Sequence, residues 1–181
     1  MNEAYYVGYS TVHKLVKALA NQVVASNYTA DVIVAIGSGG FIPARILKTF
    51  IDLPIYAVGI SYYDSQKRHE GRPKKIQWIE EAQKLLKGKR LLLIDEVDDT
   101  RMTLNYCITE LLKSKPLEIV VLVLHNKLKK KEAQFPDQIT RYFAAQEIED
   151  VWIKYPWDAQ DIDSHTNKEH QMHTTYKEQH T

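Results

Sequence analysis

Apolar and polar positions along this chain follow two alternating periods, and the switches between them lay out an α/β order of elements. Val12, Leu15, Val16, Leu19 and Val23 recur at helical spacing, so a helix runs from Ser10 or Thr11 as N-cap to near Asn27. Asp31 to Ile36 reads as a strand buried on both faces, and Gly37-Ser38-Gly39-Gly40 breaks it. A helix follows from about Ile42 to Phe50, with Pro43 in its first turn, where a missing N–H costs little. Ile55 to Ile60 is a third strand. Tyr63 to Lys75 has no apolar period and reads as a loop, before a short helix from Glu80 to Leu86 ended by Lys87-Gly88. Leu91 to Ile94 is again apolar on both faces, and Leu104, Cys107, Ile108, Leu111 and Leu112 predict a helix starting near Met102. Leu117 to His125 and Arg141 to Ala145 complete the strands. Tyr5, Tyr6, Val7 and Tyr9 fit either a short edge strand or a packed arm. The polar residues 159 to 181 predict a loosely ordered tail.

Composition narrows the class. At 181 residues with 44% hydrophobic content, the chain fits one globular domain. Its 24 basic residues against 23 acidic ones give +1, which argues against bulk attraction to nucleic acid. The lone Cys107 falls on an apolar helix face, a place for a core thiol rather than a disulfide. No basic start precedes an apolar run, and no apolar stretch is long enough to span a bilayer, so a cytoplasmic protein without membrane contact is expected.

Candidate chemistry concentrates in one place. The strand Leu91 to Ile94 runs into Asp95, Glu96, Asp98 and Asp99, and Thr100 and Thr103 lie at the start of the following helix. A helix N-terminus offers free amides to a phosphate, and the carboxyl ends of parallel strands are where open α/β sheets bind ligands. Carboxylates beside a phosphate repel it unless they face sugar hydroxyls, a cationic centre or Mg²⁺. A ribose phosphate satisfies both halves of that pattern. Thr100 and Thr103 acting only as helix caps is the simpler alternative.

The stretch LLLIDEVDDTRMTL resembles the phosphoribosyl-pyrophosphate (PRPP) motif of type I phosphoribosyltransferases, in the form found in purine salvage enzymes. AIGSGGFIPARIL resembles the pyrophosphate loop of that family, Ser61-Tyr62 its flexible-loop pair, and the segment around Trp152-Ile153 and Pro156-Trp157-Asp158 the purine segment of xanthine-guanine enzymes. The resemblance implies a type I phosphoribosyltransferase fold over residues 1 to 158, with a mobile loop at about 61 to 77 and purine recognition within 125 to 158. It implies transfer of the 5-phosphoribosyl group to N9 of a 6-oxopurine (hypoxanthine, guanine or xanthine), giving the nucleoside monophosphate and pyrophosphate. In that scheme Asp95 and Glu96 hold the ribose hydroxyls with Mg²⁺, Asp158 adds a contact to the metal, and Asp99 serves as general acid/base. Asp99, Thr100, Arg101, Met102 and Thr103 bind the 5-phosphate, while Ser38, Gly39 and Gly40 bind pyrophosphate. Lys127 donates to O6, Trp152 stacks on the base, and Ile153 contacts it through the backbone. Two departures stand out: the family commonly has Gly at Arg101, and many members have Arg at Ser38. Relatives often carry a cis peptide in the glycine loop, here expected at Gly37–Ser38, and form dimers or tetramers. Lys129 to Lys131 read as a solvated face, and Trp157 as core packing. A PRPP- or nucleotide-sensing regulator, or an enzyme for another base such as adenine or orotate, are the rival readings.

Overall fold

The structure is a computed structural model that describes residues 4–63 and 69–179. Six strands form the main sheet, in the order β4-β3-β2-β5-β6-β7: β2 (Val32–Gly37), β3 (Ile55–Tyr63), β4 (His69–Gln77), β5 (Arg90–Asp98), β6 (Glu118–Lys127) and β7 (Arg141–Ile148). All neighbours run parallel except β3 and β4. The both-face apolar runs are explained by the layers. Ile33, Leu92, Ile94, Val120 and Leu122 face α1 (Tyr9–Ala25) and α2 (Phe41–Phe50), while Val34, Leu91, Leu93 and Val121 face α3 (Ala82–Leu86) and α4 (Met102–Leu112). Cys107 is a free, buried thiol on α4, within the second of these cores. Truncating a fully buried leucine such as Leu92 to alanine costs about 2–5 kcal/mol in cores of this kind.

The order places the site. From β2 the chain moves outward to β3, then returns to lay β5 on the other side of β2. The helices that follow β2 and β5 pack on opposite faces of the sheet, and a crevice opens at the carboxyl ends of the strands.

Two stretches differ from the sequence expectation. The loop expected over residues 63 to 75 is largely strand: β4 pairs antiparallel with β3, with Ser61 opposite Lys74. β4 is the edge strand and Lys74, Lys75 and Ile76 are exposed, so main-chain pairing holds it and no alternating apolar face reveals it. Residues 64–68 of that expected loop lie outside the described residues.

The tail expected to be loose is mostly helix, α5 (Ile162–Gln179). Polar contacts dock it where apolar periodicity is absent. Buried Glu169 accepts from the Gly8 amide at 2.8 Å and the Thr11 hydroxyl at 2.6 Å, and His165 Nε2 lies 3.0 Å from the Val7 carbonyl. The cap of α1 is thus a carboxylate 161 residues away, and the N-cap residue is Gly8 rather than Ser10 or Thr11. The N-terminal arm resolves as β1 (Tyr5–Tyr6), which pairs in parallel with β8 (Ile153–Lys154) in a separate two-stranded sheet.

Candidate active site

At the crevice the β2–α2 turn and the β5–α4 turn come into contact. A Cβ on Gly39 would stand 2.0 Å from the Glu96 carboxyl carbon, and one on Gly40 would stand 2.6 and 2.7 Å from the Ile36 and Ile94 carbonyls. Only glycine lets the two loops approach this closely. The Gly37–Ser38 peptide is cis. Gly40 donates its amide to the Ile36 carbonyl at 2.9 Å, so the turn itself uses this group. That corrects the expectation for Gly40 and leaves Ser38 and Gly39, which line the cavity.

The cavity holds about 580 Å³. Its lining includes Asp95, Glu96, Asp99, Thr100, Arg101 and Thr103 from the acidic stretch, Lys127 from the end of β6, Trp152, Ile153 and Asp158 from the C-terminal segment, and Ser61 and Tyr62 from β3. Residues from four separate stretches of sequence thus share one space. Met102 lies at the helix start, its amide 3.4 Å from the Thr100 hydroxyl. The N-cap residue, Arg101, makes no side-chain cap, which leaves the amides beyond Met102 in the first turn for an anion.

Asp95 is buried, and that burial, reinforced by the Glu96 charge beside it, pushes its carboxyl well above the usual range. Glu96 Oε2 is buried without a hydrogen-bond partner. Two adjacent carboxylates, one with an orphaned oxygen, form a hard-oxygen donor set that fits Mg²⁺. Among the described residues no cluster of three or more His, Cys, Asp or Glu groups could hold a metal, so substrate oxygens and water must complete the coordination.

Asp99 meets two ammonium groups, Lys127 Nζ at 3.2 Å and Lys129 Nζ at 3.0 Å, and both lysines also reach Asp150. Lys127 ends β6 and is buried. Trp152, at 64% exposed, presents an open ring at the rim. Tyr5 and Val7 donate their amides to the Trp152 and Lys154 carbonyls. This pairing directs the Ile153 N–H and C=O away from β1. Trp157 stacks on Tyr155 at 4.6 Å, as expected of core packing.

Several residues of the site were silent in the sequence. Tyr155 donates to the Glu96 carbonyl at 2.9 Å and lies 2.8 Å from His125 Nδ1. Because the phenol proton is committed to Glu96, His125 carries its own on Nδ1. Burial lowers His125 to about 4, so it is neutral at physiological pH. Asp98, expected among the ligand-facing acids, is fully buried instead. Arg101 donates to it at 2.7 and 3.0 Å, and Tyr142 at 3.1 Å. The Arg101 guanidinium is thus engaged by Asp98 through Nε and Nη2 and stacked 4.2 Å over Phe135, while the residue itself lines the cavity. A third correction is Lys131, whose side chain is 10% exposed and not solvated.

A parallel sheet with a strand-end crevice, an acidic pair and a helix-tip anion site defines a class of ribose-phosphate-handling proteins, and the chain belongs to the phosphoribosyl transferase domain family, which matches residues 8–160. It is accordingly a phosphoribosyltransferase. Xanthine phosphoribosyltransferase 1 of Saccharomyces cerevisiae is 39% identical over 91% of this chain and 94% of its own length. Hypoxanthine-guanine phosphoribosyltransferase of the same yeast is 38% identical over 91% of this chain and 90% of its own length. A Neisseria gonorrhoeae protein solved with bound ppGpp superposes with a TM-score of 0.85 at 42% identity, over 94% of this chain and 98% of that one. Enzymes of this family generally use Mg²⁺ with PRPP and a purine base. Among the described residues, no helix is long and apolar enough to cross a membrane.

Proposed function

We propose that the protein is a purine-salvage enzyme that transfers the 5-phosphoribosyl group from PRPP to N9 of hypoxanthine, guanine or xanthine. The observation that supports this best is that the acidic pair, the open helix tip and the Lys127–Asp99–Trp152 group line one cavity. Thr100, Thr103 and the main chain of Asp99 to Thr103 hold the 5-phosphate, which fixes the line of attack at C1 of the sugar. Ser38 and Gly39 take the pyrophosphate. Asp95 and Glu96 hold the ribose hydroxyls and, with Asp158, the Mg²⁺. The metal neutralises the pyrophosphate when bound. The two carboxylates also offset positive charge on the sugar ring as the C1–oxygen bond breaks.

The base stacks on Trp152, with the Ile153 main chain at its exocyclic groups. Lys127 donates to O6, a contact that adenine, with a donor at that position, cannot accept. As N9 bonds to C1, Asp99 takes the proton that leaves N7. The two lysines beside Asp99 balance its charge while the site is empty. On substrate binding Lys127 turns from Asp99 to O6. The β3–β4 ribbon, with Ser61 and Tyr62 in the last residues of β3, closes over PRPP and excludes water.

A second reading, a nucleotide-sensing binding protein, is favoured by the ppGpp bound to the Neisseria relative. One assay separates the two. Each of hypoxanthine, guanine, xanthine and adenine is supplied with PRPP and Mg²⁺, and nucleotide and pyrophosphate are measured. The enzyme reading expects both products from 6-oxopurines and neither from adenine. No pyrophosphate from any of the four bases overturns it. A homodimer or homotetramer is proposed on analogy with the family, with exposed Tyr9 and the His13–Phe50 pair as an apolar contribution. Light scattering that reads a monomer refutes it.

A further inference from the structure

After β6 the chain doubles back beneath the acidic loop, and the strap from Lys127 to Phe135 touches that loop repeatedly. The Glu132 amide donates to the Thr100 carbonyl at 3.0 Å, and Phe135 supports the Arg101 guanidinium. Lys131 makes the densest contact. Its ammonium donates to the Asp98 carbonyl at 2.6 Å, the Lys127 carbonyl at 2.9 Å and the Asp99 carbonyl at 3.0 Å. An ammonium has three protons, and all three are spent on main-chain oxygens. The nitrogen also lies 3.5 Å from the Asp98 carboxylate, which completes a buried cluster with Arg101 and Tyr142.

Two of those three carbonyls belong to residues whose side chains address the base, Lys127 and Asp99. We propose that Lys131 is a positioning residue that couples the purine subsite to the ribose-phosphate loop, by fixing the main chain of Lys127 against that of Asp98 and Asp99. The inference rests on the base-binding reading given above. Its physical content is geometric. Converging carbonyl dipoles repel one another once the cation between them is removed, so the loop and the end of β6 move apart. The separation between O6 recognition and the N7 proton acceptor is then lost. A ligand spanning both subsites loses affinity, whereas a ligand confined to the phosphate loop does not.

Guanosine monophosphate spans both subsites, and ribose 5-phosphate occupies one. Calorimetric titration of both compounds into the wild-type protein, Lys131→Met and Lys131→Arg tests the idea. Lys131→Arg keeps the charge but is longer and planar, so one nitrogen can no longer serve all three carbonyls. It also carries the test if the methionine variant fails to fold. In both variants the nucleotide is expected to bind about tenfold more weakly, an ordinary size for coupling between sites, with ribose 5-phosphate within about twofold of wild type. Unchanged nucleotide affinity in Lys131→Arg overturns the proposal, because charge alone then suffices. Equal losses for both compounds also overturn it, because the phosphate loop itself has then collapsed. If Lys127→Ala and Asp99→Asn also bind the nucleotide like wild type, the base-binding reading has failed, and not merely the role of Lys131.

Discussion

Replacing Arg101 by glycine sets two opposing effects against each other. Arg101 sits at φ 70° and ψ 0°, a left-handed conformation that costs an L side chain about 1–2 kcal/mol and glycine essentially nothing. The backbone alone therefore favours glycine, the residue of the family pattern. Against this, the substitution strips buried Asp98 of a guanidinium that meets one of its oxygens at 2.7 and 3.0 Å. Removing one partner of a buried pair costs about 3–5 kcal/mol. Lys131 stays 3.5 Å from the other oxygen and Tyr142 remains hydrogen-bonded, which places the loss at the lower end. Lost stacking on Phe135 adds about 0.5–1 kcal/mol. The sum is a destabilisation of about 2–3 kcal/mol, a fall of roughly 4–12 °C in melting temperature for a chain of this length. Thermal unfolding followed by circular dichroism at pH 7 reads it directly. Arg101→Lys, which keeps the charge without the two-pronged geometry, should fall between the two proteins. A glycine variant that melts at or above the wild-type temperature would refute the reasoning and mark the Arg101–Asp98 pair as incidental.

Three further outcomes are expected. Asp99→Ala should lower kcat by about 10²-fold or more with little change in PRPP binding, as loss of a general acid/base does; unchanged steady-state turnover removes Asp99 from that role. Glu169→Ala removes the distant cap of α1, at a cost of about 1–2 kcal/mol. Because α5, β1 and β8 hold one another, it should also raise the KM for purine and leave that for PRPP unmoved, and equal changes in both would sink the linkage. His125, held near 4 by burial against 6.5 when exposed, contributes stability that is complete above pH 6.5 and is lost as pH falls through that window towards 4. The loss is roughly 3 kcal/mol. Denaturant titrations across the window should show that slope in wild type and a flatter one in His125→Asn.

The sheet and its helices were legible because burial on both faces leaves a signal that neighbours cannot mask. Leu91 to Ile94 has no polar residue to confuse the reading. The acidic motif was legible because its order of residue types is rare and local. What stayed hidden depends on distance. Tyr155 is an ordinary aromatic until β8 carries it to the Glu96 carbonyl. Lys131 is one of a basic run, and only the fold turns its ammonium onto three carbonyls while leaving Lys129 on two carboxylates. Arg101 was readable as a departure but not as a partner, since Phe135 and Tyr142 arrive from elsewhere. The helix α5 escaped because a helix docked through Glu169 and His165 has no apolar stripe to announce it.

The two halves of the site rest on different foundations. The phosphate half grows out of β2 and β5, central strands paired on both sides within the main sheet. Lys127 and Asp99 of the base half share those foundations, at the ends of β6 and β5, but its stacking edge, Trp152 and Ile153, rests on β8, two residues long and paired, among the described residues, with the two residues of β1. Free energies of local opening scale with buried contact, so the stacking edge opens at lower cost than the phosphate half. An order of events follows from this asymmetry. PRPP meets a surface already in place, whereas the purine meets one that its own stacking on Trp152 completes. Hydrogen exchange should therefore show the amides of Tyr5 and Val7 exchanging well before those of β5. On adding nucleotide, protection should rise at β1 and β8 far more than in the central strands. Uniform protection across both sheets would mean that the site is one rigid body and that the order of binding has another cause.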